Sequence, residues 1–392
     1  VRAPTAGPGG GRARPTRRGR AVLAASALLT AAGFGFGHRE FIVLGGTGLV
    51  LLLLAAALVG RLRPMEVTRS VPLDRVAPGD EVEVRLTVSG GGPGRRAHTV
   101  ADPVRGPGGT EWFGVSLDGG AETAAGVYRV PAERRGVLEL GPVALLRRDP
   151  LGLVEAVRTG GGRDRVRIHP RWSMPQAMPA GAVADPQGGQ DGGRIGGAAF
   201  HALREYVPGD DVRHVHWRST ARHGRLMVRE HVDTVHTRLT VVVDDRSGAA
   251  GDDRDALDEV AGAAAAICAA AVHERWACEL RLVSGASRES GGHLGPLLDL
   301  LAEAEPQPRT DPSAEFRRLW ERPSADTAVL VSASLTTAEA HRFCGLRDRY
   351  PRLVVVALRK FGAPLAGLPG ATVVSAFDAD DLAARWGRGW DG

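Results

Sequence analysis

Two long apolar runs stand near the start of the chain, Ala21–Phe36 and Phe41–Val59, separated only by Gly37-His38-Arg39-Glu40. The second approaches the ~20 residues that cross a bilayer as a helix, and the first is shorter. A cleaved leader would account for the first run but not for a second directly behind it. The pattern therefore predicts a two-helix transmembrane hairpin over 21–60, behind a disordered basic tail over 1–20 that is rich in Gly, Pro and Arg.

Beyond the hairpin the period changes. Val82-Glu83-Val84-Arg85-Leu86-Thr87-Val88 alternates apolar with polar, as a strand buried on one face does. Tyr128–Val130, Val137–Leu140 and Val166–Ile168 continue as short strands between Gly/Pro turns, so 61–172 reads as a β-sandwich of Ig-like type. A Gly/Pro-rich linker over 173–199 follows. From Thr237 onward near-continuous apolar strands, such as Leu239–Val243 and Ala328–Ser332, alternate with helical stretches, among them an alanine-rich helix over Asp255–Trp276 and one capped by Thr336. That alternation predicts a doubly wound α/β domain over 237–392. The fold class is thus multidomain: helical hairpin, sandwich, α/β domain.

Charge sharpens the first of these readings and removes another. Through Arg63 the chain carries nine arginines and one acid, Glu40, a balance of +8; the whole chain is +5, which leaves −3 for the rest. A slightly acidic remainder is a poor binder of phosphate backbones, so a nucleic-acid partner is not expected. Arg12, Arg14, Arg17, Arg18 and Arg20 precede the hairpin, and Arg61, Arg63 and Arg69 follow it. Both ends then favour the cytoplasmic side, giving a multi-pass inner-membrane protein with soluble domains facing the cytoplasm. Cys268, Cys278 and Cys344 are dispersed without metal-ligand spacing, as in a reducing compartment.

Between linker and α/β domain, residues 200–236 mix charge and large apolar side chains densely. Arg204, Glu205, Asp210, Asp211, Arg213, Arg218, Arg222, Arg229 and Glu230 lie among Tyr206, Val207, Trp217, Leu226 and Val228. Pro208-Gly209-Asp210-Asp211 is turn chemistry. Val212–Trp217 alternates as a strand would, and Leu226–Val228 reads as a second short strand after a turn at His223-Gly224. The paired carboxylates Asp210-Asp211, set among Arg204, Arg213 and Arg222, suit an ion-pair network better than acid–base work.

The order Leu203–Tyr206, Pro208–Asp211, Arg213, Trp217, Ala221, Arg222, Gly224, Leu226 and Val228–Glu230 resembles the signature of the bacterial family called domain of unknown function 58. Arg134-Arg135-Gly136, Leu140-Gly141-Pro142 and Arg148-Asp149-Pro150-Leu151-Gly152-Leu153 resemble that family's pattern upstream. The resemblance implies partnership with a MoxR-type AAA+ ATPase, alongside a membrane transglutaminase-like protein, in envelope-related assembly. It implies a non-enzymatic adaptor or scaffold whose binding surface includes Arg204, Glu205, Tyr206, Gly209, Asp210, Asp211, Arg213, Trp217, Arg222, Arg229 and Glu230.

Ligands of doubly wound sheets sit at the carboxyl ends of the strands. The first strand of the α/β domain ends in Asp244-Asp245-Arg246-Ser247-Gly248, which resembles the start of the metal site in von Willebrand factor A domains. Asp245 and Ser247 supply a carboxylate and a hydroxyl for Mg²⁺, but Ala249 stands where a second serine belongs. The domain thus resembles a degenerate von Willebrand A domain. One alternative function is a divalent-cation-dependent ligand binder using Asp245 and Ser247; another is a hydrolase using Asp210 or Asp211. Gly192–Gly197 lacks the Gly-Lys-Ser/Thr of a phosphate loop, since Lys360 is the sole lysine. His214 and His216 would share one face of a strand, with His201, His223, His231 and His236 nearby, but no carboxylate-bearing spacing supports a metal cluster.

Overall fold

The computed structural model describes residues 13–60, 66–89, 99–115, 118–119, 123–175, 202–207, 216–230, 237–247, 253–308, 311–362, 365 and 367–386. They form two compact units, Val1–Arg171 with Leu298–Glu305 and Trp172–Leu297 with Pro306–Gly392. The expected linker lies outside the described residues from 176 onward.

The first unit opens with a short strand β1 (Arg14–Pro15) and two helices, α1 (Arg17–Phe36) and α2 (Arg39–Gly60). Order therefore begins within the stretch expected to be an irregular tail. Thr16 caps α1 by accepting from Gly19 N, and Gly37, at φ 72°, closes it in the left-handed conformation that glycine favours. Both helices are long and apolar enough to cross a membrane, and only 17% of each apolar window is buried by protein. Leu28, Phe34, Phe36, Val43 and Leu53 face outward at 68–76% exposure. Such a surface is at home in lipid and costly in water. The helices meet through small residues: a side chain at Gly45 would strike Thr30 and Ser26, one at Gly48 would strike Ser26, and one at Gly33 would strike Ile42. By length and composition Arg254–His273 also qualifies as a span, yet 72% of its window is buried, because it is the core helix of the second unit.

The rest of the first unit is two sheets. One joins β2 (Glu66–Ser70), β4 (Glu81–Ser89), β8 (Thr123–Pro131) and β7 (Asp118–Gly119) in the order β2-β4-β8-β7. The other holds β3 (Arg75–Val76), β5 (Thr99–Gly106), β6 (Gly109–Val115), β9 (Gly136–Leu140), β10 (Val143–Arg148), β11 (Val154–Gly160) and β12 (Asp164–Ile168). Its order is β1-β11-β10-β5-β9-β12-β3, with β6 on β5. Val82, Val84, Leu86 and Val88 of β4, the apolar members of the alternating stretch, meet Val100, Val104, Leu140, Val143, Val166 and Ile168 in one buried core. A buried ion pair spans the two sheets: the Arg69 guanidinium forks onto Asp102, at 2.9 Å from Nε and 2.8 Å from Nη2, while Tyr128 OH donates to Asp102 at 2.6 Å.

The upstream family-like motifs acquire positions here. Asp149 accepts from Leu151 N at 2.9 Å and Val154 N at 2.6 Å, holding the β10–β11 turn. That turn receives α1: Thr16 N donates to Leu153 O at 2.9 Å, and Thr16 Oγ1 donates to Gly152 O at 2.6 Å. Leu153, Val154 and Ala156 then pack with Ala55 and Val59 of α2. Arg135 is buried and donates to the carbonyls of Leu301 and Ala304, which belong to the same unit.

The second unit contains a six-stranded sheet: β15 (Arg238–Val243), β16 (Ala277–Leu282), β17 (Ser287–Glu289), β18 (Thr327–Ser332), β19 (Arg352–Leu358) and β20 (Thr372–Ala376). Its order is β17-β16-β15-β18-β19-β20, parallel except for the edge strand β17. The sheet is doubly wound, as the alternating pattern requires. The helix over Asp253–His273 packs on β15, β16 and β18, and further helices occupy Gly295–Glu303, Ser313–Glu321, Thr337–Cys344 and Ala379–Trp386. Strand β17 and the helix Ser313–Glu321 were not expected from the sequence. The latter buries Glu315, Phe316 and Leu319 on one face.

Candidate functional site

In a doubly wound sheet the chain reverses winding direction between two neighbouring strands and leaves a crevice at their carboxyl ends. Here those strands are β15 and β18, paired from Leu239↔Thr327 to Val243↔Val331. Asp244, Asp245 and Arg246 leave β15, all buried, and Ser332 ends β18.

One guanidinium organises the crevice. Arg246 places Nε at 2.7 Å from Asp244 Oδ1 and Nη2 at 2.9 Å from Oδ2, and its Nη1 lies 2.8 Å from Glu339 Oε1. Ser332 Oγ donates to Asp244 Oδ2 at 2.7 Å and accepts from Ser334 N at 3.1 Å. Glu339 serves a second purpose: its Oε2 accepts from Thr336 N at 2.9 Å and Thr336 Oγ1 at 2.8 Å, completing the capping box of the helix Thr337–Cys344. The cap read from Thr336 in the sequence is thus present and tied to the crevice. Burial opposes the charge on Arg246, but Asp244 and Glu339 outweigh it and raise the guanidinium further. Burial likewise works upward on the Glu339 carboxyl, while Arg246 and the Thr336 hydrogen bonds bring it below the ordinary carboxylate range.

Asp245 is differently placed. Its Oδ1 accepts from Ser284 N at 3.0 Å, and its Oδ2 is buried with no hydrogen-bond partner. Burial pushes this carboxyl above the usual range, with Asp244 adding to the effect against the hydrogen bonds from Ser284. Ser247 Oγ donates to Gln307 O at 2.9 Å, and Gln307 N returns a bond to Asp245 O at 2.8 Å. Mg²⁺ requires about six oxygen ligands in octahedral array. Among the described residues no group of three or more His, Cys, Asp or Glu is arranged to hold a metal. Asp245 Oδ2 is the one carboxylate oxygen of this cluster without a partner, so Asp245 and Ser247 by themselves do not fit the ion. The sequence reading of Asp244–Gly248 gave Arg246 no role, and missed that its charge stands among the carboxylates.

The segment singled out before the α/β domain folds as a small module. Strands β13 (Ala202–Glu205) and β14 (Met227–Glu230) pair antiparallel, setting Leu203 opposite Arg229 and Arg204 opposite Val228. Between them lies helix α3 (Trp217–His223), where alternation had suggested that a strand would run through Trp217. His216 caps it through Nδ1, 3.3 Å from Ser219 N, and Gly224 at φ 67° ends it, its N–H bonded to Thr220 O. Thr220 Oγ1 accepts from Met227 N at 3.0 Å, and Tyr206 N donates to Leu226 O at 2.8 Å.

Of the expected surface residues, Glu205, Tyr206, Trp217 and Arg222 are brought together in this module, with the backbones of Arg204, Arg229 and Glu230. Gly209, Asp210, Asp211 and Arg213 lie outside the described residues, and with them the proposed network around the two aspartates. Trp217 is 68% exposed, Val207 57% and Leu226 42%, beside the exposed Arg218, Arg222 and Arg225. Arg225 reaches Glu205 at 3.4 Å.

Residues 202–369 match the family model described as "Protein of unknown function DUF58". That span covers the module and most of the sheet. No curated protein matches the chain. Among solved structures, the alkylpurine DNA glycosylase AlkC of Pseudomonas fluorescens is similar over 26% of this chain and 30% of its own, at 12% identity and a TM-score of 0.20. The CARDB domain of a Pyrococcus furiosus protein, in complex with di-metal ions, is similar over 27% of this chain and 94% of its own, at 14% identity and a TM-score of 0.18. A cohesin module from a Clostridium perfringens family 33 glycoside hydrolase is similar over 26% of this chain and 96% of its own, at 14% identity and a TM-score of 0.19.

Proposed function

We propose that this chain is a membrane-anchored docking protein without turnover of its own, and that the module around Trp217 is its binding face. The observation that carries the reading is the exposure of Trp217, Val207 and Leu226 on a framework fixed by backbone hydrogen bonds. Large apolar and aromatic side chains, ringed by arginines and held on a rigid support, are what energetic centres of protein interfaces are made of. The α1–α2 hairpin holds the protein at the inner membrane with this face toward the cytoplasm, the arginine bias of its ends supporting that orientation. By its family resemblance the partner is a MoxR-type AAA+ ATPase, with a transglutaminase-like membrane protein in the same assembly. The Ig-like sandwich and the degenerate von Willebrand A-like domain are the scaffold.

The internal cation supports this reading over chemistry in the crevice: Arg246 already pairs with Asp244 and Glu339. A second reading, divalent-cation-dependent ligand binding, draws on the unpartnered Asp245 Oδ2. A hydrolase using Asp210 or Asp211 has no further support.

Affinity purification of the tagged full chain from native membranes tests the proposal. The AAA+ ATPase is expected with the wild type and depleted at least about tenfold with Trp217→Ala, the effect of a central aromatic contact. Equal recovery of the ATPase with wild type and variant would remove the face from the account.

A further inference from the structure

The hairpin carries a cavity that its membrane-anchoring role does not need. It is an open groove of about 330 Å³, lined by Leu23, Leu49, Leu52, Leu53 and Ala56 together with Val154 of β11 and Ala13 and Pro15. Its lining is all aliphatic, and its size is at the lower end of small-ligand pockets. Along α2 it runs from Leu49 to Ala56, seven helical positions or about 10 Å at ~1.5 Å each. One end lies where α1 meets the β10–β11 turn, at the polar end of the hairpin; the other reaches into its apolar middle.

The polar end is cationic. Arg14 sits in β1 between Ala13 and Pro15, Arg20 lies three positions before Leu23 on the same face of α1, and Arg17 and Arg18 complete the group. All four are exposed, and among the described residues none has a carboxylate partner. Glu155, which stands opposite Arg14 in the β1–β11 pair, is taken by Arg148 at 2.8 Å. An apolar slot next to four exposed arginines fits one chemistry: an alkyl chain ending in an anionic head.

We propose that this cavity is a binding site for an anionic phospholipid, with a segment of one acyl chain in the slot and the phosphate among Arg14, Arg17, Arg18 and Arg20. The guanidinium groups supply charge-assisted hydrogen bonds to phosphate oxygens. Binding would tie the β10–β11 turn of the sandwich to the membrane surface, since Val154 forms part of the wall. The inference rests on α1 and α2 lying in a bilayer, and it adds lipid selectivity to that reading.

The test uses the full chain, delipidated in detergent and then mixed with phosphatidylglycerol or phosphatidylcholine of identical acyl chains, with retained lipid counted by native mass spectrometry. Flotation with vesicles of each lipid runs in parallel. Phosphatidylglycerol is expected to be retained at least about tenfold better than phosphatidylcholine. Arg17→Gln with Arg18→Gln and Arg20→Gln should remove that preference, and Ala56→Phe or Leu53→Trp, which fill the slot, should abolish retention of both lipids. Glycerol 3-phosphate, the head without chains, should not compete. Flotation with equal retention of the two lipids overturns the lipid site alone, as does unchanged retention in both slot-filling variants or competition by glycerol 3-phosphate. No flotation with either vesicle overturns the membrane reading and the lipid site together.

Discussion

Arg246 holds both carboxylate oxygens of Asp244, two residues before it in the chain, through a fork of 2.7 and 2.9 Å that is buried at the carboxyl end of the central strand. A crevice that in related architectures receives a ligand is thereby occupied by the protein's own side chain, and its second contact, Glu339, begins the following helix.

Removing that cation should be severe. Arg246→Met leaves Asp244 and Glu339 buried without their counter-charge, and the loss is expected to be about 3–5 kcal/mol. Adding Asp244→Asn to the same chain should restore part of it, because the uncompensated charge is then smaller. Urea unfolding of the two variants, followed by tryptophan fluorescence, measures both effects; a loss of less than ~1 kcal/mol for the single variant would show that the fork is not structural.

Acid should attack the same network. The Glu339 carboxyl sits below its ordinary range in the folded protein, so it binds its proton more readily when unfolded. Its contribution is therefore full above the unfolded value and is lost as pH falls through the lowered folded value. Thermal unfolding across that acid window should show a downward step that Glu339→Gln, already lacking the charge, does not share.

Asp245 should behave in the opposite sense. With its carboxyl raised by burial, the ionised form costs stability above the folded value, and the cost fades as pH falls below it. Asp245→Asn is expected to stabilise the protein at neutral pH, since it removes the carboxylate charge that burial penalises. Millimolar Mg²⁺ or Mn²⁺ should leave the wild-type melting temperature unchanged; an increase that Asp245→Asn abolishes would favour the cation-dependent reading instead.

In the sandwich, the shared carboxylate of Asp102 links Arg69 and Tyr128 across the two sheets. Asp102→Ala should cost about 3–5 kcal/mol: a guanidinium whose side chain is 1% exposed loses its buried fork and keeps Asp164 and the carbonyls of Leu140 and Gly162, while Tyr128 OH loses its acceptor. Tyr128→Phe removes one hydrogen bond to a charged group and should cost about 1.5–3 kcal/mol. Chemical unfolding of each variant separates the two values, and equal losses would mean that Asp102 acts through Tyr128 alone and that its pairing with Arg69 adds nothing.

The sequence exposed these layers unequally. The hairpin was legible because a run as apolar as Phe41–Val59 has few other homes, although the helices begin earlier, at Arg17 and Arg39. Alternation in Val82–Val88 gave β4 and its core face, and the apolar runs Leu239–Val243 and Ala328–Ser332 gave the central strands. Helix α3 was missed because Val212–Trp217 alternates with period two, while the true signals are local: a histidine cap at His216 and Gly224 in the left-handed region. The strand β17 is three exposed polar residues with no periodicity to read. The role of Arg246 was not readable at all, since Glu339 lies 93 positions away and only the fold brings it near.

The central claim is that the Trp217 face docks a AAA+ ATPase while the hairpin holds the chain in the membrane. Site-specific photo-crosslinking from position 218, the exposed neighbour of Trp217, in the full chain and in native membranes tests it most directly. The account predicts an adduct with that ATPase, lost when Leu226→Asp is added. Efficient incorporation at 218 with no ATPase adduct would contradict it.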